Sequence, residues 1–371
     1  MTNVLNRFKG CLVGGAIGDA LGYVVEFMNI EQIRELYGPE GIQTLQLING
    51  KALVSDDTQM TLYTANGLLT GGTRQKLMHE DRPMEVYVHN AYMDWQRTQR
   101  FVGAKPGKSA TWLVNVPALH SIRAPGGTCL RSLSSGIMGT LEYPINSSKG
   151  CGGVMRVSPI GLYYSPKDTP IAEIDRMGAK CAALTHGHQL GFLPAAALTH
   201  IINSIVYGDF PEGTELSEIV EECIHAMERE FAQYEKVTVL TGLMRKALLL
   251  AEENTEDVAA IAKLGEGWVA EEALTISLYC ALKYPNNFEK AIIASANHSG
   301  DSDSTASITG NILGALLGYD SIPSSMIDSV ELGDVIRTIA TDLYLDATEA
   351  SDAHCLTEDW QRKYVKMDYR V

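Results

Sequence analysis

Apolar residues recur at intervals of three and four positions along most of the chain, the spacing that places them on one face of an α-helix. Helix start signals agree with this pattern, since Ser55 is a good N-cap before one of the apolar runs. The pattern predicts helices over residues 7–27, 56–69, 84–97, 171–185, 190–207, 216–234, 237–252, 258–262, 270–283, 288–296, 304–317 and 325–345.

Two stretches depart from this helical pattern. Residues 44–48 alternate in polarity, which favours a short strand or hairpin. Residues 102–153 are rich in Gly, Pro and Ser and predict loops with one helix; such a stretch within a domain is usually functional or disordered. No composition shift or internal repeat marks a boundary. We therefore expect one compact all-α domain over residues 1–371.

The composition narrows the class of protein. The 371 residues are 45% hydrophobic and 20% charged, which is enough apolar material for a large core and excludes global disorder. The chain has 30 Lys+Arg against 45 Asp+Glu, a net charge of −15, and it has no basic block. This balance argues against binding to nucleic acid or to an anionic membrane. Because no run of about 18 uninterrupted apolar residues occurs, we also expect no membrane span.

The cysteines indicate a reducing environment. There are seven, widely spaced, and no two form a C-x-x-C pair. Both a disulfide framework and a structural zinc site are therefore poor interpretations, and the cytoplasm is the expected location.

Glycines form regular stripes on two of the predicted helices. They recur every fourth position at Gly10, Gly14, Gly18 and Gly22, and again at Gly310, Gly314 and Gly318. Glycine costs a helix roughly 0.5–1 kcal/mol relative to alanine, so a stripe needs compensation. Close packing between two helix backbones supplies it, and that packing would also hold the helix ends in place.

Acidic clusters lie at the expected starts of two helices. One is Ser55-Asp56-Asp57-Thr58, and the other runs from Gly300 to Thr305 with Asp301 and Asp303. A single cluster of this kind is explained by helix capping. Two clusters that each carry two carboxylates favour a cation between them, because converging like charges repel. Oxygen ligands of this type suit magnesium, manganese or calcium.

Two other segments of the sequence resemble known ligand-binding loops but lack features that those loops require. The pattern at Asp301, Asp303 and Thr305 is not an EF-hand, because Ala306 and Ile312 occupy its required glycine and glutamate positions. Residues 103–109 (GAKPGKS) look like a phosphate-binding P-loop but are one residue too short, and no strand precedes them. We therefore expect neither a calcium sensor nor a P-loop.

At the acidic clusters the sequence resembles the ADP-ribosylglycohydrolase family, which includes the ADP-ribosylarginine hydrolases and the glycohydrolase that reactivates dinitrogenase reductase. The resemblance covers most of the chain in ordered motifs: residues 10–22 (GCLVGGAIGDALG), 55–58 (SDDT), 150–156 (GCGGVMR), 185–186 (TH) and 300–306 (GDSDSTA). The last motif, together with residues 123–128 (RAPGGT), resembles the arginine-specific branch more than the serine-specific one.

The resemblance implies an all-α fold with a dinuclear centre of two Mg²⁺ ions, or Mn²⁺. The implied metal ligands are Ser55, Asp56, Asp57, Asp301, Asp303 and Ser304. Glu26 matches a glutamate near the end of the first helix that contacts the site, and Asp57, Glu26 and Asp303 are the implied catalytic residues.

The substrate-contacting residues are implied in the same way. The glycine-rich loop that approaches the distal ribose and phosphates matches Gly150, Cys151, Gly152, Gly153 and Met155. Cys151 departs from the asparagine expected in many members, which leaves its backbone as the expected contact. His186 matches a histidine of the substrate cleft.

The implied activity is metal-dependent release of ADP-ribose from modified arginine side chains of a protein substrate. Two cations would orient the ribose hydroxyls and lower the pKa of a water, and Asp57 or Glu26 would accept its proton. Two alternatives stay open: hydrolysis of serine-linked or other ADP-ribose conjugates, and an immunity protein that occludes an ADP-ribosyltransferase toxin.

Overall fold

The computed structural model describes residues 4–99, 107–208, 214–349 and 351–371. Over these residues the fold is all-α, as predicted. The α-helices, numbered in chain order, are α1 (Val4–Gly22), α2 (Ile30–Tyr37), α3 (Asp56–Met78), α4 (Met84–Thr98), α5 (Gly127–Ser135), α6 (Ser158–Tyr163), α7 (Ile171–Ala183), α8 (Gln189–Tyr207), α9 (Leu216–Glu230), α10 (Val237–Glu252), α11 (Asp257–Ile261), α12 (Ala270–Lys283), α13 (Phe288–Ala296), α14 (Ser302–Leu317), α15 (Ser324–Ser329), α16 (Gly333–Thr348) and α17 (Glu358–Tyr364).

The remaining regular structure is short. Strands β1 (Leu47–Ile48) and β2 (Lys51–Ala52) pair antiparallel, so the predicted hairpin is present although it begins later than residue 44. The described part of residues 102–153 holds one α-helix, α5, as predicted. It also holds 3-10 turns at Trp112–Asn115, Pro117–His120 and Cys151–Gly153. Residues 103–106 of the rejected P-loop segment lie outside the described ranges.

Several predicted helix bounds need correction. Helix α1 ends at Gly22, and the next five residues form turns in which the amide of Val25 donates to the carbonyl of Gly22 at 2.9 Å. The helix expected over 325–345 is two helices, α15 and α16. It breaks because the amide of Glu331 leaves the helical pattern and donates to the carbonyl of Ala52 in β2 at 2.9 Å, and Leu332 takes a positive φ of 62°.

Helices α1 and α14 pack antiparallel along their glycine stripes, as the spacing predicted. A Cβ atom added at Gly10 would lie 2.0 Å from the carbonyl oxygen of Gly314, and one at Gly310 would lie 2.1 Å from that of Gly14. Further along, a Cβ at Gly22 would meet the carbonyl of Ser302 at 2.2 Å. The backbones therefore touch from one end of the pair to the other, which brings the end of α1 to the start of α14.

Around this pair the other helices bury a continuous set of apolar side chains. One helix, α8, is long and apolar enough to cross a membrane by length and composition, but 94% of its apolar stretch is buried within the protein. It packs against α7 on one side and α9 on another. In this position it is a core helix.

A buried ionic cluster joins α7, α8 and α9. The ring nitrogens of His200 lie 2.9 Å from Asp175 Oδ2 and 2.5 Å from Glu222 Oε2. Burial by itself lowers the pKa of His200, but the hydrogen bonds to Asp175 and Glu222, and their charges, raise it to about 9. The imidazolium between two carboxylates therefore stabilises the packing of α9 on α7 and α8.

The glycine stripe predicts opposite effects for the same substitution at two helical positions. Gly310→Ala should destabilise the protein by about 1–3 kcal/mol, because the new methyl group overlaps the backbone of α1. Gly242→Ala in α10 should stabilise it by roughly 0.5–1 kcal/mol, since a Cβ there has no neighbour within 4 Å. Urea denaturation of both variants measures the difference, and equal effects would contradict the close contact.

The His200 cluster predicts a pH dependence of stability. A histidine whose folded pKa is raised adds stability that is complete below its unfolded value near 6.5 and is lost as the pH rises through about 9. The free energy of unfolding of wild type minus that of His200→Gln should therefore shrink between these two pH values. Urea denaturation across that range gives the difference, and a constant value would show that His200 is neutral in the folded protein.

Candidate active site

The first acidic cluster is shaped by a carboxylate from another helix. Ser55 is the N-cap of α3, and its hydroxyl accepts the amide of Asp57 at 3.1 Å. Asp19, fully buried in α1, accepts the amides of Ser55 at 2.9 Å and Thr58 at 3.1 Å and also binds the Thr58 hydroxyl. Because Asp19 takes over part of the capping, the side chains of Asp56 and Asp57 remain available for other contacts.

Asp56 anchors the segment with the RAPGGT sequence. Its Oδ2 accepts the amide of Gly126 at 3.0 Å, and its own amide donates to the carbonyl of Arg123 at 3.1 Å. The loop after the 3-10 turns is therefore fixed to the start of α3.

The second cluster is positioned by a glycine-containing turn. Asp301 is the N-cap of α14, and its amide donates to the carbonyl of Glu266 at 2.8 Å. Gly300 has a φ of 147°, and a Cβ there would lie 1.9 Å from that same carbonyl oxygen, so only glycine fits this turn. Asp303 lies in the first turn of α14 and accepts the amide of Ser304 at 3.0 Å.

The fold brings both clusters to one buried place. Carboxylate oxygens of Glu26, Asp301 and Asp303 lie within 4.8 Å of one another. The charge of Asp303 acts on Asp57 and Asp56, and Ser55 hydrogen-bonds to Asp303, which ties the start of α3 to the start of α14. The two acidic clusters seen in the sequence therefore lie next to each other in the structure.

Asp19, Glu26, Asp56, Asp57, Asp301 and Asp303 together form an acidic pocket. Burial raises the pKa of all six carboxyl groups, and the charge of Asp303 adds to this at the other five. Burial and the charges of Asp303 and Asp301 raise the pKa of Glu26 to about 10. Burial and Asp303 raise the pKa of Asp19 to about 7 and the pKa of Asp57 well above its usual range. So many carboxylates cannot all be ionised here unless cations join them.

Three oxygens of the acidic pocket point to such a cation. Glu26 Oε2, Asp57 Oδ2 and Asp301 Oδ2 are buried and lack a hydrogen-bond partner among the described residues. Buried polar atoms are rarely left unpaired, and hard carboxylate and hydroxyl oxygens are the ligands that Mg²⁺ and Mn²⁺ prefer. The donor set therefore fits a divalent cation.

The glycine-rich loop lies beside the acidic pocket. Gly153 packs so closely on α8 that an added Cβ would meet the carbonyl of Gly191 at 2.6 Å. The thiol of Cys151 contacts Asp301 and Ser304, and burial together with the Asp301 charge raises its pKa well above the usual range. The Cys151 amide donates to the carbonyl of Trp268 at 3.2 Å, which fixes the start of the loop against the residues before α12.

His186 and Met155 pack beside the glycine-rich loop. A Cβ on Gly152 would lie 3.0 Å from the His186 ring, which places that histidine against the loop. Burial and the nearby Arg156 charge lower the pKa of His186 to about 3, so the ring is neutral near pH 7. Met155 is 2% exposed and its side chain packs in the hydrophobic core beside the loop; its predicted contact with substrate stays a prediction.

Sequence analysis missed two features of the site. Arg156 is fully buried, where it donates to the Thr185 hydroxyl at 2.6 Å and stacks 4.3 Å above the Tyr92 ring; a helical pattern gives no signal for such a residue. The second feature is a stacked pair, Phe27 and Trp268, with ring centroids 5.9 Å apart and planes at 16°.

This aromatic pair lies at the edge of the acidic pocket. Phe27 follows Glu26, and Trp268 follows Gly267, whose added Cβ would lie 3.2 Å from Asp301 Cβ. Phe27 is 73% exposed, and Trp268, 38% exposed, is the one tryptophan of four that is not buried.

A cleft of about 700 Å³, with Thr128, Arg131, Tyr143 and Ser148 in its walls, lies beside the glycine-rich loop.

These features agree with the comparisons to known proteins. A family model described as ADP-ribosylglycohydrolase matches residues 1–353. The chain belongs to the ADP-ribosylglycohydrolase family, and is thus a hydrolase that acts on glycosidic bonds of ADP-ribose in modified proteins.

Individual relatives align over nearly the whole chain. ADP-ribosylhydrolase ARH3 of Danio rerio is 26% identical over 96% of this chain and 92% of its own length. ADP-ribosylarginine hydrolase Tri1 of Serratia proteamaculans is 24% identical over 93% of this chain and 81% of its own. The ADP-ribosyl-[dinitrogen reductase] glycohydrolase of Rhodospirillum rubrum is 23% identical over 89% and 92%.

A solved structure described as an ADP-ribosylglycohydrolase-related protein complex has a TM-score of 0.62. It covers 94% of this chain and all of its own chain at 19% identity, which supports the fold.

The crowding of carboxylates predicts that the active site destabilises the metal-free fold. Asp303→Asn should raise the stability of chelator-treated protein by about 1–3 kcal/mol, because it removes the buried charge that repels Asp19, Glu26, Asp57 and Asp301. Thermal unfolding measures the change. The matched control is Asp168→Asn, which alters the same charge on an exposed residue. An Asp303→Asn variant no more stable than this control would contradict the repulsion.

Proposed function

We propose that this protein removes ADP-ribose from modified arginine side chains of proteins and requires two divalent cations, Mg²⁺ or Mn²⁺, for this reaction. The observation that carries the proposal is the set of buried carboxylate oxygens without partners where α1, α3 and α14 meet. The cations would be held by Ser55, Asp56, Asp57, Asp301, Asp303 and Ser304. When bound, such cations supply a water of lowered pKa and orient the hydroxyls of a ribose.

The protein groups around the cations have distinct parts in this mechanism. Asp57 Oδ2 and Glu26 Oε2 lack other partners, so either carboxylate is placed to accept the proton of the attacking water. Asp19 is a positioning residue, because it holds the start of α3 through Ser55 and Thr58 and does not itself face the reacting atoms.

The glycine-rich loop orients the rest of the substrate. An added Cβ at Gly152 or Gly150 would meet the His186 ring at 3.0 or 3.4 Å, so glycine here lets the neutral ring of His186 pack on the loop and hold its backbone in place for the ribose and phosphates. The adjoining cleft has room for the adenosine part and offers Arg131 to the diphosphate.

Two observations support arginine as the modified residue. A guanidinium leaving group is cationic, and it would depart beside the carboxyl groups of Glu26 and Asp301. The exposed rings of Phe27 and Trp268 at the same edge provide a flat surface on which a guanidinium stacks well. The similarity to the ADP-ribosylarginine hydrolase of Serratia agrees with this assignment.

A hydrolysis assay with two substrates tests the proposal. We expect release of ADP-ribose from an arginine-modified peptide with Mg²⁺ and its loss with chelator. Asp57→Ala and Asp303→Ala should each reduce kcat at least about 100-fold, since general-base and metal contributions are each of that order or larger.

Asp168→Ala serves as the control variant, and far-UV circular dichroism of all variants checks that they remain folded. Faster turnover of a serine-modified peptide would overturn the arginine assignment alone. Full activity of both active-site variants, or of the chelated enzyme, would overturn the proposed mechanism.

A further inference from the structure

A second cleft lies at the far end of α3 from the active site. It has a volume of about 450 Å³ and is enclosed by the last part of α3, by α4 and by residues 107–110. Thr70 in its wall follows Asp57 by thirteen residues, which is about 20 Å along the helix at 1.5 Å per residue. This distal cleft is therefore separate from the acidic pocket.

The charge of the distal cleft is opposite to that of the whole chain. Its wall contains four cationic side chains, Arg74, Arg82, Arg97 and Lys108, and one acidic side chain, Glu80. The protein as a whole carries −15. Such a local reversal of sign attracts an anionic ligand.

The internal ion pairs neutralise only part of this positive charge. Glu80 accepts Arg74 at 3.1 Å and the Tyr87 hydroxyl at 2.8 Å, while Arg97 pairs with the buried Asp94 beneath the cleft. The four cationic side chains exceed the two carboxylates, Glu80 and Asp94, by two positive charges. Arg82 is 3.9 Å from Glu80 and largely exposed, and Lys108 is also exposed, so both side chains are free to move onto a ligand.

The shape and remaining lining narrow the kind of anion. Small-molecule sites have volumes of roughly 300–1,000 Å³, and this cleft falls within that range. Asn90 and Ser109 add hydrogen-bonding groups, and Tyr87 and Met93 add an apolar wall. Arginine forks and lysine ammonium groups together are the usual means of binding phosphate oxygens.

We propose that the distal cleft binds a small phosphorylated molecule through its diphosphate group. Gly107, Lys108 and Ser109, the end of the segment that fails as a P-loop, lie in its wall. They contribute here as part of a side-chain site between two helices, which needs neither the P-loop length nor a preceding strand. This site is independent of the hydrolytic reaction proposed for the acidic pocket.

Isothermal titration calorimetry with inorganic pyrophosphate tests the proposal, at constant ionic strength and with chelator present. The test variant is Arg82→Ala/Lys108→Ala, which removes two exposed cations from the cleft. The matched control is Lys167→Ala/Arg229→Ala, which removes the same charge from exposed positions elsewhere. We expect the test variant to bind about 10- to 100-fold more weakly than wild type and the control to bind equally well, because each of the two exposed cations contributes roughly a factor of three to ten.

A second titration with ADP identifies the recognised group. A parallel loss of ADP affinity in the test variant assigns recognition to the diphosphate. Wild-type protein that does not bind pyrophosphate, or equal pyrophosphate affinity in the test variant and the control, would show that the proposal is wrong. Thermal unfolding of both double variants confirms that the comparison is between folded proteins.

Discussion

The direct contact between the backbones of α1 and α14 is the constraint on which the site depends. Side chains would separate two helices to the usual 8–10 Å between axes, whereas glycine at each crossing point lets carbonyl oxygens approach the opposite Cα atoms. Since the pair is antiparallel, the end of α1 with Asp19 comes to the start of α14 with Asp301 and Asp303. Asp19 then holds the start of α3, so one packing contact positions both acidic clusters.

The second consequence of this arrangement is electrostatic. Glu26, Asp57 and Asp301 each keep one oxygen buried and without a hydrogen-bond partner among the described residues. A fold selected for stability alone would pair or remove such groups, because an unpaired buried polar atom costs on the order of 1–3 kcal/mol. Active sites commonly retain this cost since the same oxygens are needed for a ligand.

The sequence predicted well those parts of the molecule whose structure is set by neighbouring residues, through apolar spacing, glycine spacing or helix caps. The helices over 237–252, 270–283 and 288–296 have the predicted bounds, and the glycine stripes predicted the close helix pair. Helix α2 also had a local signal that we overlooked, because Asn29 and Gln32 form a capping box. By contrast, the break between α15 and α16 depends on a hydrogen bond from Glu331 to Ala52, which no local pattern contains.

The same distinction applies to the site. Both acidic clusters were visible as motifs, but the tie from Asp19 to Ser55 and Thr58 connects separate helices. The burial of Arg156 and the exposure of Phe27 and Trp268 also depend on the tertiary arrangement.

The order of the chain adds a consequence for folding. Asn311 donates to the carbonyl of Cys11 across 300 residues, so α1 meets its partner only after most of the polypeptide has been made. Until then, the glycine face of α1 leaves its carbonyl oxygens without the helix that covers them, and Asp301 and Asp303 are missing from the acidic pocket. Contacts of such long range form slowly and late. The acidic pocket is therefore completed only near the end of folding, and partly synthesised chains do not contain it.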